Sequence, residues 1–519
     1  MPSITEKLAH SLEVLHELQD NRKFAIQGSD LSRVHRERLL KNGFLQEVIK
    51  GWYIPTSPIS TSPDQTKGAS AAWYTSYWGF CADYLQARFG SDWCLSPEQS
   101  LSLHVGNRTV PEQLLVRCSK GSNNLTNLPH NTSILDLKSS LPASQDLVTT
   151  EGLSLFSLPD ALIACSPSYF RNHSIDARAA LTAISDSSDL LPRLLEGGHS
   201  LIAGRLAGAF RNVGRERIAN DILKTMTLAA FDCREEDPFT TATSIVFQKS
   251  ERSPYANRIR LMWQEMRQPI LELFPAAASR QTDIAEYLNR IQELYVTDAY
   301  HSLSIEGYKV SRELIDKIRL GKWNPDANEK DRELRNSLAM SGYWQSYQSV
   351  RISVQKALKG QNAGKVADDD HGSWYRELFS SSVTAGLLKP ADLAGYRRDQ
   401  VFIGQSMHVP PNPQAMREMM PTLFDLLRGE EDPGVRAVLG HFVFVYIHPY
   451  MDGNGRIGRF LMNLMLASGG YPWTVIPVER RSDYLEALES ASVRQDIEPL
   501  CIFLAELVKK TMKGKPEAK

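Results

Sequence analysis

Residues 448–459 read His448-Pro449-Tyr450-Met451-Asp452-Gly453-Asn454-Gly455-Arg456-Ile457-Gly458-Arg459. Within twelve residues they bring together an imidazole, a carboxylate, a glycine-rich turn and two guanidinium groups. The preceding segment, Gly434 to Ile447, carries Val435, Val438, Leu439, Phe442 and Tyr446 at helical spacing. Val443, Val445 and Ile447 make its end apolar all round, so a buried helix is expected. Pro449 disfavours helical geometry at His448 and should end the helix there, with the imidazole at its mouth. After the turn, Ile457, Phe460, Leu461, Leu464 and Met465 repeat with helical period, and Gly469-Gly470 ends the second helix.

The chemistry of this helix-turn-helix follows from its parts. Gly453-Asn454-Gly455 can bring bare N–H groups to the start of the second helix, where amides and dipole both favour an anion. Arg456 and Arg459, three apart, share a face, and their planar forks suit phosphate oxygens. Asp452 is placed to hold a Mg²⁺ bridging phosphates. His448 has the unperturbed pKa of a general base near neutrality. Each feature alone has an ordinary explanation as a helix end, a turn or a solvated face. Together they read as a pocket for a nucleotide polyphosphate, with a base poised to activate a hydroxyl.

The string resembles the signature of the Fic family, H-x-F-x-[DE]-G-N-G-R-x-x-R, at His448, Asp452, Gly453, Asn454, Gly455, Arg456 and Arg459. Tyr450 stands where Phe is usual. The resemblance covers roughly the last half of the chain. It implies an all-helical domain that transfers AMP from ATP to a Ser, Thr or Tyr hydroxyl of a target protein or of itself. In that scheme His448 is the base and Asp452 the Mg²⁺ ligand. The amides of Gly453 to Gly455, with Asn454, cradle the phosphates, and Arg456 and Arg459 neutralise the leaving group. The phosphate-transferring Doc-like branch places Lys at the step occupied here by Gly455.

Upstream, Ile284 to His301 is an amphipathic helix leading into Ser302-Leu303-Ser304-Ile305-Glu306-Gly307. This is similar to the family's inhibitory motif, [ST]-x-x-x-E-[GN], at Ser302, Glu306 and Gly307. A Glu306 carboxylate paired with Arg459 would occupy the guanidinium meant for the γ-phosphate and leave ATP in an unproductive pose. Gly395 to Gly404, followed by His408-Val409-Pro410-Pro411, reads as strand, turn and strand. In the family such a hairpin is a flap that pairs with the target, which places Val401, Phe402 and Ile403 against the polypeptide. Tyr471-Pro472-Trp473 and Arg480 to Tyr484 resemble the adenine-side region, with Tyr484 as a base contact.

The chain has 519 residues, which suggests about three domains. An apolar content of 42% and a charged content of 23% are those of a soluble globular protein. The net charge of −1 argues against an overall basic coat for nucleic acid. The six cysteines form no C-x-x-C pair and suit reduced thiols. The N-terminus lacks the layout of a signal peptide and no run approaches a membrane span, so the chain is expected to be cytoplasmic, with no membrane partner.

At the N-terminus, helix periodicity over 4–19, a second helix from Leu31 to about Lys41 and two short strands in Phe44–Pro55 give the order of a winged helix-turn-helix. This part resembles the N-terminal winged helix of antitoxins from abortive-infection systems. Arg33, His35, Arg36, Arg38 and Lys41 would supply phosphate contacts, making DNA a partner through residues 30–55. The segment 68–232 reads as a mixed α/β middle domain. It has a helix at Ala71–Phe89, strand-like runs at Leu101–His104, Gln113–Arg117 and Ile134–Leu137, and helices from Leu158 to Leu228. Residues 233–253 are read as a hinge into a Fic domain at 254–510, whose inhibitory helix is 284–307. The expected architecture is mainly α, and a homodimer is compatible with it. Two other readings stay open: a Fic-type enzyme that removes AMP by means of Glu306, and a DNA-binding regulator or antitoxin with a quiescent Fic half.

Overall fold

A computed structural model describes residues 4–20, 23–56, 65–239, 253–277, 283–308, 335–404 and 406–518. The fold is mainly helical. The chain divides into two compact units, Met1–Arg258 with Val401–Pro410, and Ile259–Gln400 with Pro411–Lys519.

The first unit opens with α1 (Ile4–Asp20), β1 (Ile26–Gln27), α2 (Arg33–Lys41), β2 (Leu45–Ile49) and β3 (Trp52–Pro55). Ser32 caps α2 by accepting from the His35 N–H. The hairpin expected after the second helix is β2–β3, and β1 adds a third strand on the far edge of β3. A small core of Leu15, Ile26, Leu31, Leu39, Leu45 and Tyr53 holds these elements together.

Next come α3 (Gln65–Phe89), β4 (Cys94–Leu95), α4 (Pro97–His104), β5 (Gln113–Cys118), β6 (Leu125–Asn127) and β7 (Ser133–Lys138). The four strands form one sheet of order β4-β5-β7-β6, in which β5 and β7 run parallel. Leu101–His104, expected as strand, is instead the end of α4. Ser96 caps that helix and Pro97 opens it, a start signal that outweighs the short apolar run. The hairpin β8 (Leu147–Thr150) and β9 (Leu153–Phe156) follows. Six helices complete the run: α5 (Leu158–Ala164), α6 (Pro167–Asn172), α7 (Ser174–Ala183), α8 (Leu191–Glu196), α9 (Ser200–Asn212) and α10 (Glu216–Leu228).

The expected hinge at 233–253 is only partly described, since 240–252 lie outside the described residues. Its first part is docked on α9: Glu236 N–H bonds Gly204 O at 3.2 Å, and Arg178 lies over the Phe239 ring. The division between units falls later than expected, after Arg258, within α11 (Pro254–Leu273). Arg258 closes the first unit through a buried ion pair, Nε to Asp176 at 2.9 Å.

The second unit is helical among its described residues: α12 (Ile284–Ile305), α13 (Arg335–Leu358), α14 (Ala363–Thr384), α15 (Pro413–Gly429), α16 (Pro433–Ile447), α17 (Asn454–Ser468), α18 (Arg481–Glu489) and α19 (Glu498–Met512). Aromatic hydroxyls tie α12 to its neighbours. Tyr347 donates to Ile291 O at 2.8 Å and Tyr287 to Tyr471 O at 2.9 Å. Asp298 on α12 accepts from Tyr343 at 2.5 Å and from Trp473 Nε1 at 3.1 Å. No helix among the described residues is long and apolar enough to cross a membrane.

Candidate active site

The site is built at the junction of α16 and α17. Asp432 caps α16 and Pro433 opens it, and nearly every residue of the helix is buried. The helix stops at His448, which adopts φ 55° and ψ 60°, the left-handed conformation. Pro449 explains the stop, because the residue before proline is driven out of right-handed helix. The cost of a positive φ is met by three anchors. His448 N–H bonds Phe444 O at 3.0 Å, Arg397 Nε donates to His448 O at 2.8 Å, and Arg397 N–H bonds Pro449 O at 2.9 Å. His448 Nδ1 lies 3.1 Å from Val445 O. A carbonyl can only accept, so Nδ1 carries the proton and Nε2 keeps its lone pair. Burial pushes the imidazole pKa down to about 4, so at neutral pH the ring is an unprotonated base with its tautomer set.

The turn is braced by Asn454. Its amide accepts from Tyr450 N–H at 2.9 Å and donates to Tyr450 O at 2.8 Å, while the Tyr450 ring stacks on Tyr375 at 3.8 Å. The Asn454 side chain is therefore consumed in shaping the loop, and any anion contact from this residue falls to its N–H. Gly453 takes φ 83°, and a Cβ there would meet Leu378 and Phe379 at 2.9–3.0 Å. The first helical bond of α17 runs from Ile457 N–H to Gly453 O, so the N–H groups of Asn454, Gly455 and Arg456 emerge at the helix start.

The two arginines have different surroundings. The Arg456 guanidinium, 1% exposed, lies between the rings of Tyr308 and Phe379, each 5.2 Å from its centre. Among the described residues its Nε and Nη2 make no hydrogen bond, though Nη2 lies 3.2 Å from Asp452 Oδ1 as an ion pair. Buried unbonded donors of this kind are costly and await an acceptor. Arg459, 5% exposed, is engaged through two of its three nitrogens: Nε donates to Ser302 Oγ at 2.9 Å, and Nη2 donates to Ser302 O at 2.9 Å and to Glu306 Oε1 at 2.8 Å. The neighbouring carboxylate holds the Arg459 pKa above its ordinary value against burial. Ser302 is in the last turn of α12, Glu306 caps it, and Gly307 follows with φ 85°. Arg481 Nε secures the same helix end through Ile305 O at 2.7 Å. A Cβ on Gly455 would collide with Glu306 Oε1, so the acid rests directly over the bare backbone of the turn.

Asp452 is the one acid of the turn and its side chain is 59% exposed. Oδ1 accepts from Gly453 N–H at 2.6 Å, and among the described residues Oδ2 has no protein partner. Among the described residues no cluster of three or more His, Cys, Asp or Glu could hold a metal alone. Beside Asp452 and Arg456 opens a pocket of about 740 Å³ whose wall includes Tyr375, Phe379, Leu393 and Tyr396.

Residues 371–466 match the Fic/DOC family. The chain is 37% identical over 230 residues to a protein adenylyltransferase Fic of Drosophila mojavensis, covering 43% of this chain and 41% of that protein. It is 30% identical over 258 residues to the Drosophila willistoni protein of the same name, covering 48% of this chain and 47% of the other. It thus spans less than half the length of these curated relatives. A solved structure, Fic-1 (aa134–508) from C. elegans, aligns at 20% identity with a TM-score of 0.35, over 60% of this chain and 85% of that one.

In the matched segment and those around it the structure brings Ser302, Glu306, Asp452, Gly453, Asn454, Gly455, Arg456 and Arg459 to one site, with His448 at its edge. Other expected contacts lie elsewhere. Tyr484 on α18 is 2% exposed and its hydroxyl is 2.7 Å from His441 Nε2, so it faces the interior and not a base. The expected flap hairpin is absent among the described residues of 395–410. Val401–Pro410 groups with the first unit, where Val409 joins the core, Phe402 packs on it, and Met407 O accepts from Val110 N–H at 2.9 Å. Val401, Phe402 and Ile403 are thus not paired as strands: the apolar pattern that suggested a hairpin serves packing. In α2, Arg36 donates to Gly28 O at 2.7 Å and Arg38 to Lys7 O and Ser11 at 2.7 Å, while Arg33 pairs with Glu37 at 2.6 Å. Those charges are used within the module. The residue the sequence did not single out is Arg397, which is 2% exposed and donates only to carbonyls, at His448, Ile447, Asp399 and Pro411. Burial pushes its pKa down to about 10.

Proposed function

We propose that the Fic half transfers AMP from ATP to a Ser, Thr or Tyr hydroxyl of a target protein or of the chain itself, and that Glu306 restrains this activity. The observation that carries the reading is the contrast between the arginines. Arg456 offers unbonded buried donors beside a helix N-terminus, while Arg459 is held through Nε and Nη2 by Ser302 and Glu306. An open anion site with one of its two guanidiniums stoppered suits a triphosphate that can bind but not lie productively.

In the proposed reaction the acceptor hydroxyl gives its proton to His448 Nε2 as its oxygen bonds to the α-phosphorus. The bond from that phosphorus to the bridging oxygen breaks and pyrophosphate leaves. The N–H groups of Asn454, Gly455 and Arg456, with the Arg456 fork, bind the phosphate oxygens. Arg459, once released, balances charge on the departing γ end. The Asp452 carboxylate, with Oδ2 unused by the protein among the described residues, would fit Mg²⁺, which takes one or two carboxylates and completes its shell with phosphates and water. When bound, the ion would neutralise phosphate charge. Transfer of label from α-labelled ATP should be weak for the wild type, strong for Glu306→Gly and absent for His448→Ala. Equal labelling by all three would overturn the assignment.

A second reading rests on Glu306 itself. Oε1 takes Arg459, and among the described residues Oε2 has no protein donor while the side chain is 31% exposed. The carboxylate could orient water against an AMP-modified hydroxyl. AMP release from modified protein that is lost in Glu306→Gly would favour this direction.

A further inference from the structure

Arg397 has no part in the proposed reaction, yet it holds the backbone from which the base projects. Nε donates to His448 O at 2.8 Å and Nη2 to Ile447 O at a longer 3.4 Å, while the Arg397 N–H bonds Pro449 O at 2.9 Å. One residue therefore meets three successive carbonyls at the end of α16. Nη1 donates to Asp399 O at 3.0 Å and Nη2 also to Pro411 O, so the guanidinium is itself fixed from the other side. Among the described residues no carboxylate pairs with it, and its charge is met by carbonyls and by the negative end of the α16 dipole. Leucine or methionine would fill this space without burying a cation that has no acid partner. Packing alone thus does not account for an arginine at this position.

Peptide planarity turns these contacts into a constraint. The Ile447 carbonyl lies in the plane before the His448 Cα and the His448 carbonyl in the plane after it, so holding both sets φ and ψ of His448. The first plane is also held by the His448 N–H on Phe444 O; the second is held by Arg397. The resulting φ of 55° and ψ of 60° are a conformation that a residue with a Cβ resists. Pro449 bars a return to right-handed helix, so a released His448 would relax to extended backbone and swing its Cβ. The ring would then lose the 3.1 Å contact of Nδ1 with Val445 O that sets its tautomer. We propose that Arg397 is a positioning residue for the transfer reaction: it clamps the carbonyls on either side of the His448 Cα and so aims Nε2 at the acceptor hydroxyl. This rests on the AMP-transfer reading above. The effect passes through His448, so it falls on the rate of transfer and not on the binding of ATP.

The test compares full-length Glu306→Gly with Glu306→Gly/Arg397→Lys and Glu306→Gly/Arg397→Gln. Three quantities are measured: the rate of label transfer from α-labelled ATP at saturating ATP, calorimetric ATP binding, and the ring ¹⁵N resonances of His448 at pH 7, assigned against His448→Ala. Both Arg397 variants should transfer about 100-fold more slowly, the scale of a misaimed general base. ATP affinity should stay within about twofold, which also shows that each variant is folded. The ring should change from a single Nδ1–H tautomer to a mixture. Lysine keeps the charge but offers one point in place of a planar fork, so it should serve no better than glutamine. Transfer and ATP binding falling together would make the role merely structural, and full rescue by lysine would make it one of charge; either overturns the proposal. Unchanged transfer or an unchanged ring signature overturns it as well. Absence of transfer in Glu306→Gly alone would instead sink the AMP-transfer reading, and the ring resonances would still decide whether Arg397 holds the imidazole.

Discussion

Gly455 offers a test of the stopper that leaves Glu306 unmutated. Its backbone is helical, so alanine fits the conformation without strain, yet the new Cβ would overlap Glu306 Oε1 and stand 3.2 Å from Arg459 Nη1. The carboxylate must move off the 2.8 Å contact with Arg459. A hydrogen bond between charged groups contributes about 1.5–3 kcal/mol, and partial exposure of Glu306 pulls this toward about 1–2 kcal/mol. At 1.4 kcal/mol per tenfold, that release corresponds to roughly 5- to 30-fold more transfer from α-labelled ATP. Stability should change little, because alanine in a helix recovers up to about 1 kcal/mol relative to glycine. The effect must vanish when the acid is already gone. In a Glu306→Gly background Gly455→Ala should leave transfer unchanged or lower it, so the double-mutant cycle should show a large coupling. An equal fall in both backgrounds would mean that the methyl meets the phosphates and not the glutamate, and the inhibitory geometry argued here would be wrong.

The remaining expectations concern protons and anchors. With His448 held near a pKa of about 4, the base is already neutral above pH 5. The transfer rate of Glu306→Gly should therefore show no His limb between pH 5.5 and 7.5 and should fall only as pH drops toward 4. A limb centred near 6.5 would contradict the burial argument. The same depression at fully buried His441 links folding to pH: the unfolded chain takes up the proton below about 6.5 and the fold does not. Stability present above that pH is then lost as pH falls toward 4, by at most about 3 kcal/mol, and thermal melts of the wild type against His441→Leu should converge there. Asp298→Ala would strip the shared acceptor from Tyr343 and Trp473. It should lower the melting temperature and raise basal transfer, though not beyond Glu306→Gly, because α12 loses its buried latch. Arg456→Lys keeps the charge but not the planar stack between Tyr308 and Phe379, and should weaken ATP binding roughly tenfold in a direct titration.

The site motif was legible because its physics is local. A proline stops α16 at His448, glycine supplies the turn, and three-residue spacing sets Arg456 and Arg459 along one helix, all within twelve residues. The helix ending at Glu306 was legible for the same reason, since Gly307 closes it by a short-range rule. That Glu306 meets Arg459, 153 positions away, is a tertiary fact, as is the burial of Tyr484 against His441. Val401 to Ile403 mark the opposite case: the run reads as part of a strand, but only packing decides whether backbone or side chains are used, and here Phe402 packs against a core. Arg397 gave no signal because it bonds carbonyls, which every residue carries, and nothing in sequence says which of them a buried guanidinium will find. Periodicity and turn chemistry therefore fixed which groups were available. Their ordering into an open anion site and a closed one came from long-range packing, because the energy of a buried charge depends on its neighbours in space and not in the chain.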